Sequence, residues 1–199
     1  MDLSRLEENL TAAGFTVVRC PTGQAAKDYL TGRFAGKTIG MGGSVTVRDL
    51  GLYEALAEHN TVHWHWMTPG PETMAQAASA QVYLTSVNAV AETGELLNID
   101  GTGNRISAAL GAHEVVCYLV GQNKVAPTYD EALWRARNVA APLNARRLHR
   151  KTPCAQGEEL KCHNCKSPER ICNGLSVLWR PMGGAGETVV VLIQEDLGY

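Results

Sequence analysis

Four of the six cysteines in this 199-residue chain, Cys154, Cys162, Cys165 and Cys172, lie in one polar segment spaced C-x7-C-x2-C-x6-C. A C-x2-C pair lets two thiolates converge on one metal centre, and two more cysteines close by complete a set of four. Pro153, Gly157, Pro168 and Gly174 bend the same stretch, which has few apolar residues to pack it. A long loop without a core of its own needs an internal staple. Disulfides are disfavoured where thiols stay reduced. Metal ligation is therefore the expectation. One C-x2-C hook with two isolated partners favours an iron–sulfur cluster of the [4Fe–4S] type. Zinc is the alternative, with His163 as a further ligand.

A second group of residues could bind an anion. In "IGMGGSVTVRD" (39–49) a strand ends in glycines and a helix begins near Ser44. Gly42 and Gly43 allow close backbone approach, the helix start offers free N–H groups, and Ser44 and Thr46 add hydroxyls. A plain tight turn with Ser44 as helix cap is the structural alternative. The stretch is neither a G-x-G-x-x-G fingerprint nor a P-loop.

"TSVNAVAETGELLNIDGTGNR" (85–105) gathers Asn88, Glu92, Asn98, Asp100, Asn104 and Arg105 around Gly101 and Gly103. Glu92 or Asp100 could act as a general base if burial raised its pKa. A hairpin at Thr93-Gly94 followed by a capped helix explains the same residues without function. His63 and His65 share one face of an alternating strand and could face a ligand or a metal, or be hydrogen-bonded structural histidines. The basic run "NARRLHRK" (144–151) reads as a solvated helix face, or as a patch that neutralises an anionic cluster or docks an acidic partner.

These residues must be placed by the rest of the chain. The length fits a single domain, 1–199, with one sizeable core. A net charge of -2 argues against a nucleic-acid partner bound by bulk charge. No apolar run reaches the length of a membrane span. The start "MDLSRLEENL" is unlike a secretory signal, so a cytoplasmic protein is expected. Strands at 15–20, 60–66, 80–90, 95–99 and 113–121, and near 175–180 and 188–194, are separated by helical stretches at 23–31, 45–58 and 128–148. This alternation predicts an α/β fold with a mostly parallel sheet flanked by helices, and a cysteine-rich loop near its C-terminus. Ligands of such sheets bind beyond the carboxyl ends of the strands, where the glycine loops fall.

The blocks "SVNAVAETGELLNIDGTGNRISAAL", "VGQNKV", "APLNARRL", "KTPC" and "SPERICN" resemble the LUD-domain family of lactate-utilisation proteins. The resemblance runs from "TIGMGGS" to "EDLGY", with "NIDGTGNR" and "APLNARRL" its most specific parts. It implies a fold like ribose-5-phosphate isomerase and the CoA transferases. It further implies a role in organic-acid oxidation, L-lactate to pyruvate, as a subunit or accessory beside iron–sulfur redox partners. A phosphorylated or CoA-like metabolite bound by a non-redox module with a structural zinc loop is the alternative. If the chain is an enzyme, the resemblance makes it oxidoreductase-associated. The isomerases carry an acidic stretch where Asn88 and Ala89 stand here, and lysine where Asp100 stands. Sugar-phosphate isomerisation is therefore not expected.

Overall fold

Near-continuous apolar strands are stable only when both of their faces are covered, and such strands form the middle of a six-stranded sheet at the centre of this protein. A computed structural model describes residues 2–199. With strands numbered along the chain, the large sheet contains β1 (Thr16–Cys20), β2 (Thr38–Met41), β3 (Thr61–Trp64), β4 (Val82–Ser86), β7 (Val115–Gly121) and β10 (Glu187–Ile193). All neighbours are parallel, in the order β1-β10-β7-β4-β2-β3. A smaller mixed sheet, in the order β8-β5-β6-β9, holds β5 (Ala89–Ala91), β6 (Leu96–Asp100), β8 (Val125–Ala126) and β9 (Gly174–Leu178).

Side chains alternate across the large sheet. Cys117, Leu119, Val189, Val191 and Ile193 pack on one face with α2 (Gly23–Arg33), α3 (Val45–Asp49) and α4 (Leu52–Ala57). Val116, Tyr118, Val120, Val190 and Leu192 pack on the other with α1 (Ser4–Ala12), α5 (Pro71–Ala78) and α6 (Asn104–Ala109). A third cluster lies between the small sheet and α7 (Tyr129–Arg135), through Ala89, Ala91, Leu97, Ala126 and Ala132. No helix among the described residues is long and apolar enough to cross a membrane.

Three elements differ from the sequence expectation. The helix expected over 45–58 is two short ones, divided at Gly51, whose φ of 59° breaks the helical path. The strand expected over 80–90 is also two: the chain leaves the large sheet after Ser86 and enters the small one at Ala89. Over 128–148, α7 passes through a wide π-helical turn at Ala136–Ala140 into α8 (Ala141–Arg147). Pro142 therefore falls in the first turn of α8, where its missing N–H is tolerated.

Strands β3 and β4 flank β2 on opposite sides, so the chain reverses its direction across the sheet there. The carboxyl ends of β2 and β4 thus form the crevice at which this kind of sheet binds ligands.

Candidate functional site

A cleft of about 420 Å³ opens at that crevice. Four strands of the large sheet feed it. The segment after β2 contributes Gly43–Thr46, that after β3 His65 and Trp66, that after β4 Ser86–Asn88, and that after β7 Lys124. The end of β6 and the start of α6 supply Ile99–Thr102, Asn104 and Arg105. Arg147, Arg150 and Arg170 close the outer side. The volume suits a small metabolite. Four guanidinium groups, of Arg105, Arg147, Arg150 and Arg170, outnumber the two acidic side chains, Asp100 and Glu169. Such a field selects for anions.

Arg105 is the structural centre of the wall. Its Nη1 donates to Asn98 Oδ1 at 2.9 Å, and its Nη2 to Asn88 Oδ1 at 3.2 Å and to the Ile99 carbonyl at 2.6 Å. Its Nε lies 3.9 Å from Asp100 Oδ2. Burial lowers its pKa, opposed by the Asp100 charge. The asparagine carbonyls and the nearby carboxylate keep this buried guanidinium solvated by protein. Asp100 also accepts the backbone N–H groups of Thr102, Gly103 and Ile106 at 3.0, 3.0 and 3.1 Å. It thereby shapes the turn into α6 and lines the cleft at the same time.

Lys124 lies beneath the cleft and is 3% exposed. Its Nζ donates to Thr46 Oγ1 at 2.7 Å and to Ser86 Oγ at 2.8 Å. Burial, followed by the charges of Arg135 and Arg105, lowers its pKa to about 7, with Asp49 opposing. Lys124 was not among the residues expected at the site. Its signal was positional: "HEVVCYLVG" reads as a buried parallel strand, so the residues just after it stand at the ligand-binding edge.

The two histidines separate. β3 ends at Trp64, and the N–H groups of Met67 and Thr68 both bond back to the Trp64 carbonyl. The alternation stops at that turn, so His65 and Trp66 both line the cleft and His63 does not. Burial lowers the His65 pKa, with Asp100 opposing. Trp66 stacks on Trp64 at 5.2 Å, and the Arg147 guanidinium sits 4.7 Å from the Trp66 ring centroid. Arg147 Nε and Nη2 both donate to Asn144 Oδ1.

The remaining expected residues divide in the same way. Gly43, Ser44, Thr46, Asn88, Gly101, Asn104 and Arg105 line the cleft. Ser44 also caps α3, accepting the Val47 N–H at 3.2 Å. Gly42 lies behind the wall, where its carbonyl accepts from Trp64 Nε1. Gly103 caps α6 outside the lining. Glu92 is away from the cleft, with its carboxylate 3.8 Å from Arg5 Nη1. Gly101 faces the cysteine segment, since a Cβ there would come within 2.7 Å of the Ile171 carbonyl oxygen.

All four clustered cysteines line a second, smaller cavity beside α8, together with His163, Arg137 and Arg170. None is in a disulfide. Cys162 Sγ accepts from the Asn164 N–H at 3.4 Å and lies 3.6 Å from Arg137 Nη2. Arg170 donates to the Cys172 and Cys165 carbonyls, both at 2.9 Å. Among the described residues no three His, Cys, Asp or Glu side chains converge closely enough to hold one metal ion. Four thiols border this cavity, with guanidinium and N–H donors near sulfur, and thiolate is the ligand type of both zinc and iron–sulfur sites. Arg170 and Ile171 line both this cavity and the cleft.

A family model described as the LUD domain matches residues 3–193. Among solved structures, the chain is similar to a DUF162 family protein from Deinococcus radiodurans. The two are 12% identical, the match covers 96% of this chain and 95% of that one, and the TM-score is 0.57. This likeness is one of fold. Among curated proteins none matches.

Proposed function

We propose a function from the premise that this chain belongs to the LUD domain family. The protein is a subunit or accessory of organic-acid oxidation, of the L-lactate-to-pyruvate type. It binds a small anionic metabolite in the cleft and a [4Fe–4S] cluster in the cysteine cavity, and works beside iron–sulfur redox partner subunits. The observation that carries this reading is the shared wall: Arg170 and Ile171 border both cavities. A cluster held by Cys154, Cys162, Cys165 and Cys172 would supply one-electron chemistry next to the bound metabolite.

The chain's own residues have definable tasks. Arg147 and Arg150 attract and orient the anion, and the Gly43–Thr46 turn presents backbone and hydroxyl donors. Arg105 and Asp100 hold the wall in shape. Asp100, a candidate base in the sequence, lines the cleft with both carboxylate oxygens taken up by backbone N–H groups. Glu92, paired with Arg5, would need a rearrangement to reach the cleft. The scaffold is of the ribose-5-phosphate isomerase and CoA transferase type. Asp100 is committed to the turn into α6, which argues against an isomerase's acid/base set.

The test has two arms on anaerobically purified protein. The cluster arm expects a broad absorbance near ~400 nm, the thiolate-to-iron signature. The cleft arm expects lactate or pyruvate to raise the melting temperature by mass action. A colourless, zinc-loaded protein stabilised by phosphorylated or CoA-like compounds instead would support a second reading, a non-redox binding module. His163 in the lining of the cysteine cavity favours that alternative.

A further inference from the structure

We propose that Lys124 is the reactive amine of this cleft, forming a covalent imine with the carbonyl group of a small 2-oxo carboxylate. The proposal rests on the reading of the cleft as an anion site and names the ligand class and the atom that engages it.

The hydrogen bonds around Lys124 have a fixed direction. Ser86 Oγ donates to the Leu119 carbonyl at 2.6 Å, and Thr46 Oγ1 donates to the Leu197 carbonyl at 3.3 Å. Both hydroxyl protons are therefore committed to backbone oxygens. Toward Lys124, both hydroxyls act as acceptors, so Nζ donates to each. A neutral amine has two N–H groups and one lone pair. Both N–H groups are used, and the lone pair is left over. A protonated amine in the same place would carry a third N–H without one of these partners.

The electrostatic setting agrees. Arg135 and Arg105 are the cationic groups acting on Lys124, and Asp49 is the acidic one. Arg135 is held in place by the Asn123 and Asn88 carbonyls at 2.8 and 2.6 Å. A desolvated lysine beside other cations is the recognised way to make an amine nucleophilic near neutral pH. Lys124 lines the cleft, so a ligand there can meet it. The guanidinium groups of Arg147 and Arg150 in the same cleft suit a carboxylate on that ligand.

The step balances without a redox partner. The Nζ lone pair attacks the carbonyl carbon and the C=O π pair moves onto oxygen. A proton passes from nitrogen to that oxygen, giving a carbinolamine. Loss of the hydroxyl with the second nitrogen proton, as water, leaves the C=N bond.

The experiment incubates the full chain with pyruvate and sodium cyanoborohydride, then maps the modified lysine by peptide mass spectrometry. Lys124 is one of six lysines. The expected result is one reduced adduct, at Lys124, exceeding every other lysine by about tenfold or more near pH 7.5, where ordinary lysines are almost wholly protonated. Lys124→Arg should lose the adduct, with labelling of the other five lysines no higher than in wild type. Should Lys124→Arg fail to fold, competitive acetylation of the wild-type lysines reads the same reactivity, with Lys124 expected to label first. Pyruvate that stabilises the protein without labelling Lys124 overturns the imine and leaves the anion site standing. Neither stabilisation nor labelling overturns both. Labelling spread over the exposed lysines alone overturns the assignment to Lys124.

Discussion

The cleft and the cysteine cavity are built in opposite ways. The cleft is made of segments that follow buried strands, and its polar groups are fixed by short hydrogen bonds: Arg105 to Asn98, Asn88 and Ile99, and Lys124 to Thr46 and Ser86. The cysteine cavity is walled on one side by α8; Cys154 sits in a one-turn helix (Pro153–Gln156), and the other three thiols belong to a stretch without helix or strand between Gly157 and Asn173. That stretch is held by hydrogen-bond partners outside it. Arg146 donates to the Gly157, Glu158 and Glu159 carbonyls, Asn138 Oδ1 accepts the Cys162 N–H, and the Asp100 and Gly101 carbonyls accept from Asn173. The inner wall of the cleft is thus fixed by the sheet, whereas the cysteine segment depends on contacts with its neighbours.

The largest effect that would probe this contrast is at Arg105. Arg105→Leu strands the Asn98 and Asn88 oxygens and removes the charge beside Asp100, and should cost about 3–5 kcal/mol, as removal of one partner from a buried charged network does. Urea denaturation checks this. A loss under ~1 kcal/mol would show that the cleft wall does not depend on it.

Gly101→Ala should cost about 1–3 kcal/mol through overpacking against the Ile171 carbonyl. Limited proteolysis should then cut within 157–173 while circular dichroism of the sheet is kept. Uniform loss of both would mean that the two regions unfold together.

Lys124→Met tests the cleft through pH. The native pKa of about 7 lies below the unfolded value near 10.4, so the unfolded state binds more protons between those limits. The destabilising cost of the buried amine is full below about pH 7 and fades as pH rises toward about 10.4. Wild type should therefore gain on Lys124→Met by about 1 kcal/mol per pH unit across that window, read from paired urea melts. A flat difference would place the amine in water.

The smallest effect is at Arg147. Arg147→Ala loses the contact over Trp66 and should cost about 0.5–2 kcal/mol of stability. It should also weaken pyruvate binding, measured by thermal shift, with little change in the cysteine segment.

Much of this arrangement was legible in the residues, for identifiable reasons. Apolar strands such as "HEVVCYLVG" and glycine stops pointed to a parallel sheet and to the loops at its carboxyl edge, and Ser44, Thr46, Asn88, Asn104 and Arg105 do line the cleft. What stayed hidden depends on tertiary placement. Lys124 sits in a short 3-10 turn after a buried strand, and its partners Thr46 and Ser86 are 78 and 38 residues away. The basic run 144–151 divides among tasks no local pattern encodes, with Arg147 and Arg150 in the cleft and Arg146 on the cysteine segment. Glu92 and Asp100 are neighbours in a polar stretch, yet the hairpin sends the first toward Arg5 and the second into the cleft. Gly101 was expected to admit a ligand, and its missing side chain makes room for Ile171.

The account turns on what the four thiols hold. Anaerobically purified wild type and Cys165→Ala should be assayed together for iron, acid-labile sulfide and zinc. The account predicts iron and sulfide in equal amounts in wild type, with both lost in the variant. Zinc alone, or no metal in either protein, would contradict it.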